Sequence, residues 1–291
     1  DCPICGVEGA LPENCAKCAQ PADGAAVQPE GEVSDPQPEA ALTSLIGGSE
    51  TATEVSTADE LTAAIADSNV STVKMTTNIS IGNTLTVNRA VTLDLNGHVL
   101  KYESANKGSV IVVENGGQLT IEDSNTSKLS HKFKQNGKLW VLDETNGTET
   151  VTGGVITGGK GYPYPLSSTL YCGGGVYIAP SGQLTMTGGN IIGCSAEFGG
   201  GVCIYPRQDG EQIQFSMSGG SIIGCVASHS GGGVYASGKF QMSGPAVIRN
   251  CTVESTDQLI HGGGVYVDGS FEMSGEAKIE GCQAISSSAY G

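Results

Sequence analysis

Gly173-Gly-Gly-Val-Tyr-Ile178, Gly199-Gly-Gly-Val-Cys-Ile204, Gly231-Gly-Gly-Val-Tyr-Ala236 and Gly262-Gly-Gly-Val-Tyr-Val267 are one phrase written four times, at spacings of 26, 32 and 31 residues. Each is followed by an alternating stretch: Leu184-Thr-Met186, Phe215-Ser-Met217, Phe240-Gln-Met242 or Phe271-Glu-Met273. Each unit then closes on Ile191, Ile222, Ile248 or Ile279, with Cys194, Cys225, Cys251 or Cys282 three residues later. Self-similarity at this period marks a stacked array, because a unit this small cannot bury its apolar face alone. Three short strands and three bends per unit predict three parallel sheets wound round a narrow core. The fold class is therefore all-β, a right-handed single-stranded parallel β-helix of three sheets and about eight coils, about 40 Å long at ~4.8 Å per coil.

Alternation assigns the positions within a unit. Val176/Ile178, Val202/Ile204, Val234/Ala236 and Val265/Val267 take the inside, so Tyr177, Cys203, Tyr235 and Tyr266 point out as an external column. Such a column can offer stacking faces to sugar rings, or simply stabilise neighbouring strands. The Ile and Cys columns point inward, and buried thiols are the preferred account of the cysteines, since a metal needs ligands converging on one point. The glycine triplets read as corners that need positive φ and close approach of successive coils.

Upstream, the pattern is looser. Val73-Lys-Met75, Leu85-Thr-Val87, Val91-Thr-Leu93-Asp-Leu95, Val110-Ile-Val112, Leu119-Thr-Ile121, Leu139-Trp-Val141 and Val155-Ile-Thr read as further short strands. Thr57-Ala-Asp-Glu60 is a capping box that opens a helix over 57–68, with Leu61, Ala64 and Ile65 on one face to close the N-terminal coil. Residues 19–54 are rich in Pro, Ala, Gly, Glu and Ser and read as a flexible acidic linker. Residues 1–18 form a Cys-rich partial module whose Cys2, Cys5, Cys15 and Cys18 suit a structural zinc or two disulfides equally. The β-helix occupies 55–291, and the stop at Ser286–Gly291, where the pattern asks for another triplet, reads as truncation of a longer repeat region.

The net charge of −16 is uneven: residues 1–60 hold twelve acids against one lysine, net −11. This excludes nucleic acid as an expected partner, because no basic footprint exists. No apolar run is long enough to span a bilayer.

Met217-Ser-Gly-Gly-Ser-Ile-Ile-Gly-Cys225-Val-Ala, followed by Gly231-Gly-Gly-Val-Tyr, resembles the repeat of parallel β-helix surface proteins of gut bacteria. These are adhesin-like relatives of the polymorphic outer-membrane protein repeats, within the pectin-lyase-like superfamily. One departure is that Cys stands where that repeat usually has Asn. The resemblance implies a secreted, extracellular or cell-wall protein acting as an adhesin or rigid stalk towards glycans or host surface proteins.

The rival class is a polysaccharide lyase or glycoside hydrolase. Either needs clustered acids beside a base, or a carboxylate pair at defined separation. Arg249 is the leading base, yet its stacked neighbours are Ile223 and Glu280; Asp268, Glu272, Glu276 and Glu280 are scattered outward positions. For binding, the candidates are Tyr177, Tyr235 and Tyr266 together with Tyr162, Tyr164 and Tyr171 of the Tyr/Pro-rich loop at 159–171.

Overall fold

The computed structural model describes residues 52–163, 169–204, 214–256 and 260–286. The Cys-rich segment with its zinc-or-disulfide alternatives lies outside them, as does the linker up to residue 51. Stacked parallel strands dominate the described chain, which makes it a parallel β-helix with one short helix.

Three sheets enclose the core. The first runs from Thr53–Val55 through Thr72–Met75, Ala90–Asp94, Gln118–Glu122, Gln183–Met186, Gln214–Met217 and Lys239–Met242 to Ser270–Met273. The second stacks Ile79–Ile81, Val99–Tyr102, Val155–Thr157, Asn190–Ile192, Ser221–Ile223, Val247–Arg249 and Lys278–Glu280. The third stacks Leu85–Val87, Ile111–Val113 and the four Gly-Gly-Gly-Val strands. Equivalent residues pair in register, so like side chains stack: Val176 on Val202, Ile191 on Ile222, Phe215 on Phe240. Phe215 and Phe240 lie face to face with centroids 4.7 Å apart, and both are buried.

Two features exceed the three expected sheets. After each cysteine the chain runs outward through Ser195–Phe198, Val226–Ser230, Thr252–Ser255 and Gln283–Ser286, which join Tyr171–Cys172 in a fourth, flanking parallel sheet. Leu139–Leu142 is not a rung of the helix; it pairs antiparallel with Ser130–Asn136, which also pairs with Glu149–Thr152. This three-stranded insert lies on the second sheet through Trp140, Phe133 and Val151, packed against Val99, Val155, Ile192 and Ile223.

The corners follow from glycine chemistry. Gly173, Gly199, Gly231 and Gly262 all have φ between 60° and 66°, which costs a non-glycine residue about 1 kcal/mol or more. The third glycine of a triplet is needed for space. A Cβ on Gly201 would lie 2.7 Å from both Gly233 O and Ile222 Cγ2, and 3.4 Å from Cys225 Sγ. The Gly, Ile and Cys columns therefore depend on one another.

Helix α1 spans Ala58–Ala66 and carries the expected capping box, with Glu60 N donating to Thr57 Oγ1 at 3.2 Å and Thr57 N to Glu60 Oε2 at 3.2 Å. Leu61, Ala64 and Ile65 are buried against the first strands of the three core sheets. Its C-terminal end is held by Arg89, whose guanidinium donates to Ala64 O, Ile65 O and Val70 O at 2.9, 2.8 and 2.6 Å.

Candidate functional site

The outward column of the third sheet is in the predicted register, Tyr177 beside Cys203, Cys203 beside Tyr235 and Tyr235 beside Tyr266. It is not a bare face. Tyr177 is 2% exposed and Cys203 fully buried, in a satellite core with Val112, Cys172 and Ala179. The cover comes from Tyr162–Pro163, the edge strand antiparallel to Tyr171–Cys172 in the fourth sheet: Tyr162 stacks on Tyr177, centroids 5.1 Å apart and planes 19° apart. The expected external column, interrupted at Cys203, is thus covered at its Tyr177 end.

The lower half keeps partial exposure. Tyr235 and Tyr266 are half-buried and stacked at 5.3 Å; Phe198 meets Tyr235 edge-on at 5.1 Å, and the His261 ring lies tilted beside Tyr266 at 5.7 Å. Burial raises the Tyr235 hydroxyl above its ordinary pKa. Tyr171 is half-buried with Lys107 Nζ 4.1 Å above its ring. Tyr164 lies outside the described residues.

Beside the covered half lies a pocket of about 480 Å³ lined by Val112, Glu114, Asn115, Tyr162, Tyr177, Ala179 and Pro180. Val112 and Tyr177, adjacent outward residues of paired strands, lie buried beneath it, so its accessible apolar surface comes from half-buried Tyr162 and Pro180. Its rim is set by a turn that is tied to the next coil: Ser181 N donates to Asn115 Oδ1 at 3.1 Å, and Gly116 N to Ser181 Oγ at 3.1 Å. Glu114 is exposed. An aromatic and aliphatic floor under polar rim groups suits a ring with one apolar face and hydroxyls at its edge.

The inward cysteines form a column. Cys194, Cys225 and Cys251 are fully buried and Cys282 half-buried, all as free thiols. Each Sγ lies near the carbonyl two residues before it, as in Cys251 to Arg249 O at 3.4 Å. The neighbouring Cys225 thiol together with burial holds Cys194 well above its usual pKa, and burial does the same for Cys251. A hydrogen bond with Cys251 lowers Cys282 to about 7.

Arg249 stacks between Ile223 and Glu280 as expected, but its guanidinium faces the hairpin formed by Ser130–Asn136 and Leu139–Leu142 of the insert, 5.4 Å from the Trp140 ring. Asp268, Glu272, Glu276 and Glu280 are exposed. One acid pair escaped the sequence reading: Asp94 is paired in register with Glu122, and Lys74 Nζ lies 3.8 Å from Asp94. Asp94 is occupied in holding a turn, accepting from Asn96 N, Ser124 N and Ser124 Oγ at 2.9, 2.9 and 2.5 Å. Among the described residues no three His, Cys, Asp or Glu side chains converge as a metal site. Nor is any described helix long and apolar enough to cross a membrane.

Comparison with the curated proteins and with the solved structures found no match. Residues 52–156, from the first strand into Val155–Thr157, the third strand of the second sheet, match the family described as "Putative pectate lyase-like adhesive domain". That match and the stacked parallel sheets together fit a parallel β-helix, pectin-lyase-like protein, and they support an adhesive role at a surface.

Proposed function

We propose that the chain is an adhesive module of an extracellular or wall-attached protein, and that it holds neutral sugar rings of surface glycans in the Tyr162/Tyr177 pocket. The observation that carries the reading is the half-buried Tyr162 ring, held by its stack on buried Tyr177, at a pocket of about 480 Å³ with Glu114 and Asn115 at its edge. A pyranose can lay its C–H face on the apolar floor while the rim carboxylate and amide exchange hydrogen bonds with its hydroxyls. Multiple weak contacts of this kind suit adhesion, where avidity supplies strength that a single site lacks.

The test is a glycan array and solution titration with the chain and with Tyr162→Ala. Binding of neutral glycans that Tyr162→Ala weakens at least tenfold, with melting temperature retained, is the expected result. Absence of glycan binding, or binding indifferent to Tyr162, overturns the pocket assignment. Release of unsaturated or reducing sugar ends from acidic polysaccharides would instead place the chain in the lyase or hydrolase class.

A further inference from the structure

A second concave site lies on another side of the coil, where the hairpin strand Leu139–Leu142 meets the second sheet. The groove holds about 200 Å³ and its walls include Leu139, Leu142, Thr157, Ser195, Lys101 and Lys160. Its origin is simple. On the second sheet the outward column reads Lys101, Thr157, Ile192, Ile223 and Arg249. The hairpin's Trp140 covers Ile192 and Ile223, and the groove is the stretch of that column which the hairpin leaves open.

The two lysines meet at one rim. Lys101 Nζ is 2.9 Å from Glu103 Oε1, and Lys160 Nζ donates to Ser104 O at 3.3 Å, so consecutive residues tether both ammonium groups. Glu103 stays ionised, its pKa lowered chiefly by the hydrogen bond from Lys101. Two positive charges against one negative leave the rim cationic on a chain whose net charge is −16. Charge of this sign beside an apolar wall selects an anion that carries an apolar substituent.

We propose that this groove binds a terminal acidic, N-acetylated sugar. Its carboxylate lies between the Lys101 and Lys160 ammonium groups, and its acetyl methyl rests against Leu139 and Leu142. A groove of about 200 Å³ takes a single ring and its substituents, which favours a chain-terminal sugar over an extended acidic peptide. The ligand differs in charge from the one assigned to the tyrosine pocket, and the two sites share no residue.

The test titrates the full chain with 3′-sialyllactose, with lactose, and with the analogue that carries a hydroxyl in place of the acetamido group. The expected pattern is saturable binding of sialyllactose that weakens about tenfold per lysine in Lys101→Gln and Lys160→Gln. Binding also falls as salt rises from about 0.05 to about 0.5 M. Loss of the acetamido group weakens it, and Tyr162→Ala leaves it unchanged. Melting curves of the two variants matching the parent confirm that the fold is intact, since both lysines are at the surface. No sialyllactose binding, binding indifferent to both lysines, or equal binding of trigalacturonate or poly-glutamate overturns the proposal. Because Tyr162→Ala reports on the other pocket alone, failure of one assignment is distinguishable from failure of the other.

Discussion

Gly224→Ala should detach the hairpin from the β-helix. Gly224 occupies the corner after Ile223, with φ of 56°, and its carbonyl accepts from Trp140 N at 3.1 Å. A Cβ there would lie 2.7 Å from Trp140 Cβ and closer still to Cγ and Cδ1. The ring is 2% exposed and packed against Phe133, Val99, Ile192 and Ile223, so displacing it gives up those contacts. Burying an aromatic ring of this kind removes about 150–250 Å² from water, about 4–6 kcal/mol at ~25 cal/mol/Å². That sum is the ceiling on what docking loses when the indole is expelled. The positive φ adds about 1 kcal/mol of strain for alanine.

Trp140 is the chain's single tryptophan, so its emission reports the hairpin alone. The parent should emit as a buried indole. The variant should shift to longer wavelength, gain quencher access and exchange the amides of 130–152 faster, while the far-ultraviolet signature of the stacked sheets persists. Gly281→Ala is the matched control: φ is 63° at the equivalent corner, but the new Cβ meets the Asn250 side chain, which can move. Unchanged emission and exchange in Gly224→Ala would refute the reasoning; a shift in Gly281→Ala as large would trace the effect to strain.

Arg89→Met should cost about 2–4 kcal/mol by leaving three carbonyls at the end of α1 without their charged donor, read as faster amide exchange across Ala58–Ala66. Phe240→Ala, which empties the middle of a three-ring stack with neighbours at 4.7 and 5.1 Å, should lower stability by about 3–5 kcal/mol in denaturant titration. Glu122 has its pKa raised, first by burial and then by Asp94, so the folded chain holds its proton more tightly than the unfolded one. Stability is therefore lost as pH rises from the ordinary carboxylate range through the raised value. Glu122→Gln should melt higher than the parent at pH 7, and the gap should close below about pH 4. Of the six described cysteines, Cys282 should be the first alkylated in native buffer, with a rate that rises through about pH 7, as mapped by peptide mass spectrometry.

The core was legible because the repeat states it four times over. Val176, Val202 and Val234, Ile191, Ile222 and Ile248, and the corner glycines occupy the places that period-two alternation requires. The capping box at Thr57 was legible for the same local reason. What escaped was the identity of whatever covers the outside. Alternation says that Tyr177 points away from the axis, but only the loop through Tyr162 and Tyr171, which has no counterpart in other coils, decides that it is buried. Likewise Leu139-Trp-Val141 alternates like any rung. Its antiparallel partner Ser130–Asn136, polar on one face and carrying His131 and Phe133 on the other, became recognisable only once paired. Arg89 gave no signal at all, since a capping cation is defined by carbonyls some twenty residues away.

The stacking direction has a mechanical consequence for the adhesive role proposed above. Hydrogen bonds between coils run along the direction in which the coils are piled, so tension applied between the two ends of the pile loads them one rung at a time. Columns of like side chains give no interlock against that pull. Each rung that peels away releases a segment such as Gly231 to His261, about 100 Å of slack at ~3.4 Å per residue. A tethered module built this way yields stepwise and lengthens under load, sparing the bond at its ligand from the full force.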